Sequence, residues 1–394
     1  MQNRPYAIVY ILVVVITFYS CRQHAGKQEV VTREVNQVRI FYTPMVKDNA
    51  HWNMLVINEY GDTIQYKKMD SLTVDFRKWV INGKTRYGYY VKNSDFYKYP
   101  DQPYSSGFRV ITDSNFNILQ RITLKSHGII DGKKKPAVEH HDFILLDDNH
   151  YIVLACYEYT PTNIPAELNP LPGKIVVTPV IQEVLNGEVV WQWVGCEYPE
   201  LYAASVDGNN FSDTGKEANY LHVNSMFIDP ADSNLVISCR NTNQVMKLNR
   251  KGNNIVWKLG GKDSDFVIPD TAKFLRQHDA TFINNSKTML LLDNGQRGVR
   301  EFSRVLELDI DEANRKVTGY LIFNIPDDFI EFGGNVEKRG ERYFIGGGSG
   351  GFIMEAIPRT GVKAFELQLE LGSYRVYKYP EAETTEQQPG GYRL

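Results

Sequence analysis

From Val38 onward the chain alternates short apolar or period-two runs with turn signals and never settles into helical periodicity. Met54-Leu55-Val56-Ile57, Val110-Ile111-Thr112, Ile175-Val176-Val177 and the run from Val317 to Phe323 each read as strands. The pattern predicts an all-β chain. Within it one phrase occurs three times: a histidine, an apolar strand, an Asp/Asn turn and a second apolar strand. The copies read HDFILLDDNHYIVLACYE from His141, HVNSMFIDPADSNLVISCRN from His222 and HDATFINNSKTMLLLDNG from His278. In the first and third, the residue sixteen places on is Tyr157 and Asn294; in the second the turn is longer, and Arg240 stands eighteen places on. A hairpin folded about that turn brings Arg240 opposite His222, within cross-strand reach.

Repeated strand groups of this kind predict a β-propeller, each blade packing its face on the next. The stretches NGEVVWQWVG and GNNIVWKLGG put Trp191 and Trp257 at equivalent places after a turn, where they serve as blade-to-blade packing residues. Five to seven blades fit the length. Tyr374-Arg375-Val376-Tyr377 is placed to close the ring with a first strand near Val38-Arg39-Ile40. The glycine run Ile345 to Phe352 has the composition of a phosphate loop, but neither a helix pattern nor GK[ST] follows it, so it reads as a close-packed strand or channel-lining loop.

A chain of 394 residues, 42% of them hydrophobic, can bury a large core. Its formal net charge of -3 and the scatter of its basic residues, apart from Lys133-Lys134-Lys135 in a turn, argue against nucleic-acid binding. At the N-terminus Arg4 precedes an apolar stretch too short to span a bilayer, which reads as an export signal over 1–20. Ser20 directly before Cys21 resembles a relaxed bacterial lipobox, making Cys21 the expected lipidation site and the outer membrane the expected location. Residues 21–36 then form a polar tether, 37–380 the propeller and 381–394 a polar tail. Cys156, Cys196 and Cys239 are odd in number, and the repeat positions of Cys156 and Cys239 favour buried free thiols.

The segments HHDF at 140–143, LHVNSMFID, ISCRNTNQVMKLNRKGNNIVWKLGGK, RQHDATFI and LLLDNG together resemble the bacterial arylsulfate sulfotransferases. That resemblance implies a six-bladed propeller that moves a sulfuryl group from a phenolic sulfate ester to an acceptor phenol, without a nucleotide donor or other cofactor. It implies that His278 is the nucleophile that becomes transiently sulfated, and that His141, His222 and Arg240 surround the sulfuryl oxygens. Asn224, on the same strand face as His222, joins them; His140, Asn294 and Tyr157 complete the expected substrate contacts. His140 competes with His141 for its role, and the repeat register favours His141. The chain departs from some members of the family in having no close cysteine pair and only a short stretch before its first histidine motif.

The chemistry is reasonable without the name. A sulfate monoester is anionic and inert to water, so its transfer needs a neutral nitrogen nucleophile and donors for the charge on the sulfuryl oxygens. His24, His51, His127 and His150 lack the repeat context and read as structural; Asp142 and Asp279 read as orienting their own strand ends. Two other readings stay open at this level. One is a non-catalytic surface propeller binding a glycan or protein. The other is a metal- or quinone-dependent enzyme, since convergent histidines suit a divalent ion, although Arg240 at the centre opposes a cation.

Overall fold

The computed structural model describes residues 38–45, 52–93, 107–130, 138–325 and 328–380. The export signal, Cys21, the tether, His24, His51, the Lys133–Lys135 turn and the C-terminal tail lie outside them. Six four-stranded antiparallel sheets make up a six-bladed β-propeller. Blade 1 joins the last strand, Ser373–Pro380, to residues 38–69; blades 2 to 6 follow over 73–122, 143–194, 223–260, 278–324 and 335–368. The innermost strand of each blade is Ser373–Pro380, Thr73–Ile81, Phe143–Asp147, Val223–Ile228, His278–Ile283 and Asn335–Arg339 in turn.

Ring closure follows the expected pairing: Val38 lies opposite Pro380, Ile40 opposite Lys378 and Tyr42 opposite Val376. Pairing the first described strand with the last within one sheet locks the ring shut, while each blade keeps short edges of its own. Between blades the contact is apolar. Trp257 of blade 4, 1% exposed, meets Phe282 of blade 5 edge to face at 6.4 Å, and Trp191 of blade 3 is buried in a core shared with Met226 and Ile228 of blade 4. Cys156, Cys196 and Cys239 are free thiols; Cys196 and Cys239 are buried, whereas Cys156 is half-buried.

Around the axis, polar side chains on each inner strand stitch it to the next blade. Asp142 accepts the Met226 N–H at 2.7 Å, Ser225 that of Ala280 at 3.1 Å, Asp279 that of Val336 at 3.0 Å and Asn335 that of Val376 at 2.9 Å. Asp142 also caps its own strand at Phe143 N, 2.8 Å away, but Asp279 acts across blades, so orienting its own strand end is the lesser part of its role. Hydrogen bonds to the two carboxylates are worth roughly 1.5–3 kcal/mol each and those to the hydroxyl and amide about 0.5–1.5, together enough to favour one blade order near the axis.

Three inner strands also bulge near their first residues. The pairing register shifts between Val74 and Arg77, Val223 and Ser225, and His278 and Thr281. Asp75 (φ 61), His222 (φ 54) and Asp279 (φ 53) take left-handed backbone there, a cost that an L-residue carries only where the surroundings enforce it. The result re-aims successive side chains toward the axis.

Candidate active site

A cavity of about 660 Å³ opens at one end of the central channel. Its walls differ in character. Met45, Trp52, Leu72, Val74 and Phe332 give it an apolar side, and Asp207, Asn219, Arg240, Asn241 and Arg276 a polar one. His140, His141, His222, Asn224, His278, Asn294 and Tyr374 converge in it, so seven of the eight site residues expected from the sequence, Arg240 included, line one space. Tyr157 is the exception. Its strand, His150–Tyr159, keeps pairing with the next strand of blade 3, where Tyr157 lies opposite Thr178. The side chain packs half-buried against the blade core and stays out of the cavity.

The imidazoles form a chain of contacts. His140 stacks on His141 with ring centres 4.2 Å apart; His141 lies 4.8 Å from His222 and 6.5 Å from His278. The expected hairpin geometry holds for Arg240, whose backbone N–H donates to His222 O at 3.0 Å.

His278 has a fixed tautomer. Its Nδ1 lies 2.7 Å from the carbonyl oxygen of Gly334, which can only accept, so Nδ1 carries the proton. Nε2 is then left with its lone pair and accepts a hydrogen bond from the Tyr374 hydroxyl at 2.9 Å. Burial holds this imidazole well below the usual histidine range, and the neighbouring Arg375 cation adds to the effect. Burial likewise raises the Tyr374 phenol, which stays a donor. The glycine run contributes here: Gly348 (φ +51) packs so tightly that a Cβ on it would stand 2.5 Å from Phe332 O, and Gly334 (φ +87) would clash with Gly346 O. The run therefore backs the turn that supplies the Gly334 carbonyl, in keeping with a close-packed loop and not a phosphate cradle.

His141 leans on a residue the sequence pattern did not single out. Both oxygens of Glu139 lie 2.5 Å from its Nδ1. Burial pushes the Glu139 carboxyl up to about 7 and the His141 imidazole down to about 3, so burial favours the neutral form of both partners. His140, whose Nδ1 lies 3.4 Å from the same carboxyl, is also lowered to about 3, chiefly by burial. His222 accepts from the Asn219 amide through Nδ1 at 3.1 Å, which leaves its proton on Nε2; burial, then His141, holds it well below its ordinary value. Asn224 and Asn294 donate to Gln277 O at 2.8 Å and to Ile330 O and Gly333 O at 3.0 and 3.1 Å, while their buried side-chain oxygens accept from no group among the described residues.

Among the described residues, Glu139, His140 and His141 could together hold a metal ion, their ligand atoms all lying within 4.8 Å of one another. The carboxyl is already committed to His141, however, and Arg375, Arg109 and Arg240 all act on His141 with positive charge. Asp142 offsets part of that charge, and the guanidinium groups of Arg240 and Arg276 on the cavity wall suit an anion better than a cation.

The family description Arylsulfotransferase (ASST) matches residues 101–355, which is more than half of the chain and includes His140, His141, His222, Arg240, Arg276 and His278 as well as the whole polar wall. The chain belongs to the arylsulfotransferase family. It is therefore a transferase, and aryl sulfate esters and phenols are its donor and acceptor classes in general terms. No curated protein matches the sequence. Among solved structures, a protein of unknown function from Bacteroides caccae aligns at 11% identity over 88% of this chain and 99% of its own, with a TM-score of 0.50. A β-propeller domain from Myceliophteria thermophila aligns at 7% identity over 85% of this chain and 87% of its own, with a TM-score of 0.44. At such identities the likeness concerns the fold alone.

Tyr374, Glu139, Asp207 and Arg276 were not legible as site residues. Tyr374 sits in the ring-closing strand, outside the repeat, and Asp207 in the connection between blades 3 and 4. Glu139 and Arg276 had a signal: each stands two residues before a repeat histidine.

Proposed function

We propose that this arylsulfotransferase works by a ping-pong mechanism through a sulfohistidine at His278. One observation carries the reading: His278 is pinned through Nδ1 to Gly334 O, so a neutral ring presents its Nε2 lone pair among His141, His222 and Arg240. In the first half-reaction Nε2 forms a bond to sulfur as the sulfur–oxygen bond to the aryl group breaks, and the bonding pair leaves on the phenolate. In the second, the acceptor phenol oxygen forms its bond to sulfur and the pair of the nitrogen–sulfur bond returns to Nε2. Arg240 and the Nε2–H of His222 hold the sulfuryl oxygens where charge accumulates.

The Glu139–His141 pair suits the accompanying proton. With Glu139 protonated and the His141 proton on Nε2, the ring gives that proton to the phenolate while its Nδ1 takes the one from Glu139. The acceptor phenol reverses the exchange, so no net proton is left behind. The aryl group of either substrate fits against the apolar wall of Met45, Trp52, Leu72 and Phe332. Trapping of one sulfuryl group on the enzyme by donor alone tests the reading.

We also propose export and lipid anchoring at Cys21, on the Ser20-Cys21 junction alone. Mass spectrometry of membrane-extracted protein tests it; an unmodified N-terminus elsewhere in the chain rejects it.

A further inference from the structure

The six inner strands, or the residues just before them, lead from the histidine cavity to a second one of about 390 Å³ at the other end of the channel. Neighbouring residues divide between the two: His141, His278 and Tyr374 line the first, and Asp142, Asp279 and Arg375 the second. Arg375 lies across the boundary with its side chain only 2% exposed. Its Nη2 donates to Asn224 O at 2.9 Å, and its Nη1 lies 3.4 Å from both Asp142 and Asp279. Every one of these partners is a site residue or the immediate neighbour of one. The four joined positions are His141-Asp142, Asn224, His278-Asp279 and Tyr374-Arg375.

We propose that Arg375 is a positioning residue for sulfuryl transfer, a buried guanidinium hub that ties the strands bearing His141, Asn224, His278 and Tyr374 in one register and keeps positive charge behind the nucleophile. The hub rests on the sulfohistidine reading for its catalytic meaning, but its geometry does not. A rigid planar fork carries its donors on separate nitrogens, so Nη1 and Nη2 reach acceptors on three different blades, a span that the single nitrogen of an ammonium does not cover. Its charge is offset within the same cluster, where Asp75, Asp142 and Asp279 face Arg77, Arg109 and Arg375.

The groups facing His278 are Tyr374 and Arg375 from the closing strand, His140 and His141 from the approach to blade 3, and His222 from the approach to blade 4, with Asp279 beside it on its own strand. Of the cations acting on the ring, Arg375 is the largest contributor after burial itself. Removing it should let His278 take up a proton at higher pH and slacken its contact with Gly334.

The direct test is NMR of protein labelled with 15N in its eight histidines, comparing the wild type with Arg375→Met and with Arg375→Met/Asp279→Asn, which restores the charge balance if the single variant folds poorly. In the wild type His278 should remain the neutral Nδ1–H tautomer down to mildly acidic pH. In Arg375→Met its titration should move up by about one pH unit or more, and in the double variant, where a neighbouring carboxylate goes with the cation, by less. An unchanged His278 titration in a folded variant overturns the proposal, whether or not a sulfuryl adduct exists. The second readout is single-turnover release of para-nitrophenolate from its sulfate ester, a leaving group that needs no proton, so that the acid limb reports the nucleophile. The Met variants should lose roughly a hundredfold in rate, the scale for small misplacements of reacting groups, with the acid limb shifted upward. Arg375→Lys should keep the limb near its wild-type position yet stay at least about tenfold slow, because it holds the charge without the fork. Full recovery of rate in Arg375→Lys would rule out the positioning role. Failure of the wild type to label His278 would instead remove the sulfohistidine reading and leave the NMR result standing.

Discussion

Arg240 points its Nη1 at a carboxylate oxygen of Asp207 3.1 Å away, and the same oxygen accepts from Arg276 Nη2 at 2.9 Å. Asp207 thus occupies both guanidinium groups of the polar wall with an anion supplied by the protein. Its carboxyl is 38% exposed and belongs to a connection between blades, so an incoming sulfate ester can take its place. Asp207→Asn removes the competing charge without shortening the side chain. The expected outcome is a KM for aryl sulfate lowered several-fold at low salt, on the order of 1 kcal/mol for a partly exposed pair, with the gain shrinking as salt is added. A raised KM would mean that Asp207 instead holds the arginines in their working geometry.

Arg240 itself is 23% exposed and anchored by groups near the rim, Asp207 and Asn241. Its loss leaves no buried cavity behind. Arg240→Ala should therefore change the thermal unfolding midpoint little while costing roughly 2–4 kcal/mol of transition-state stabilisation, the scale for one oxyanion contact. Steady-state kinetics beside a melting curve separate the two. An insoluble variant with normal activity per folded molecule would assign Arg240 to structure.

Much of this architecture was legible because a propeller writes its plan in repeats. The strand–turn–strand phrase after His141, His222 and His278 marks the inner and second strands of three blades, and its register puts equivalent histidines at equivalent depth. Closure between Val38 and Pro380 followed from two short strand signals at the ends of the domain. What failed had a physical reason. Tyr157 was placed by counting along the chain, but position sixteen reaches the cavity only where the second strand ends there, as near Asn294; in blade 3 that strand runs on. Tyr374 and Arg375 were read as a closing strand alone. Nothing in a local pattern reveals that the last strand of a ring becomes its innermost one, and so carries side chains to the axis.

Acid should destabilise the fold at pH values where most proteins are indifferent. Burial lowers all four cavity histidines, His140 and His141 to about 3 and His222 and His278 well below their ordinary value. For a base held neutral in the native state, stability is intact above the unfolded value of about 6.5. It is lost as the pH falls below that value, because only the unfolded chain binds the proton, at up to about 1.4 kcal/mol per pH unit for each histidine. Glu139 has the opposite sign. Raised to about 7, it favours the native state below its unfolded value of about 4.3 and withdraws that contribution as the pH rises toward 7. Four histidines outweigh one glutamate, so the urea midpoint should fall between pH 7 and 5. In Glu139→Gln the opposing contribution is gone, and the fall should be steeper. A wild-type midpoint that stays level over this range would mean that the imidazoles are charged in the native state.

The histidine that takes the sulfuryl group should be His278 and not its neighbours, on the ground of which nitrogen each has free. His278 has its proton fixed on Nδ1 by a carbonyl and its lone pair on Nε2, within reach of a donor once the Tyr374 hydroxyl turns aside. His222 has the reverse arrangement, accepting at Nδ1 from Asn219 and so offering a donor, which suits holding an oxygen better than attacking sulfur. His141 is engaged with a carboxyl that gives and takes protons. Quenching the enzyme with para-nitrophenyl sulfate alone should yield one nitrophenolate per active site and one acid-labile sulfuryl group on the peptide containing His278. His278→Asn should abolish both. His222→Asn should slow adduct formation without moving the label, and Glu139→Gln should slow transfer from donors with poor leaving groups more than from para-nitrophenyl sulfate. A label found on His141 or His222 would give the nucleophile's role to that residue, and transfer that needs both substrates bound before any phenolate is released would mean direct transfer to the acceptor with no enzyme nucleophile.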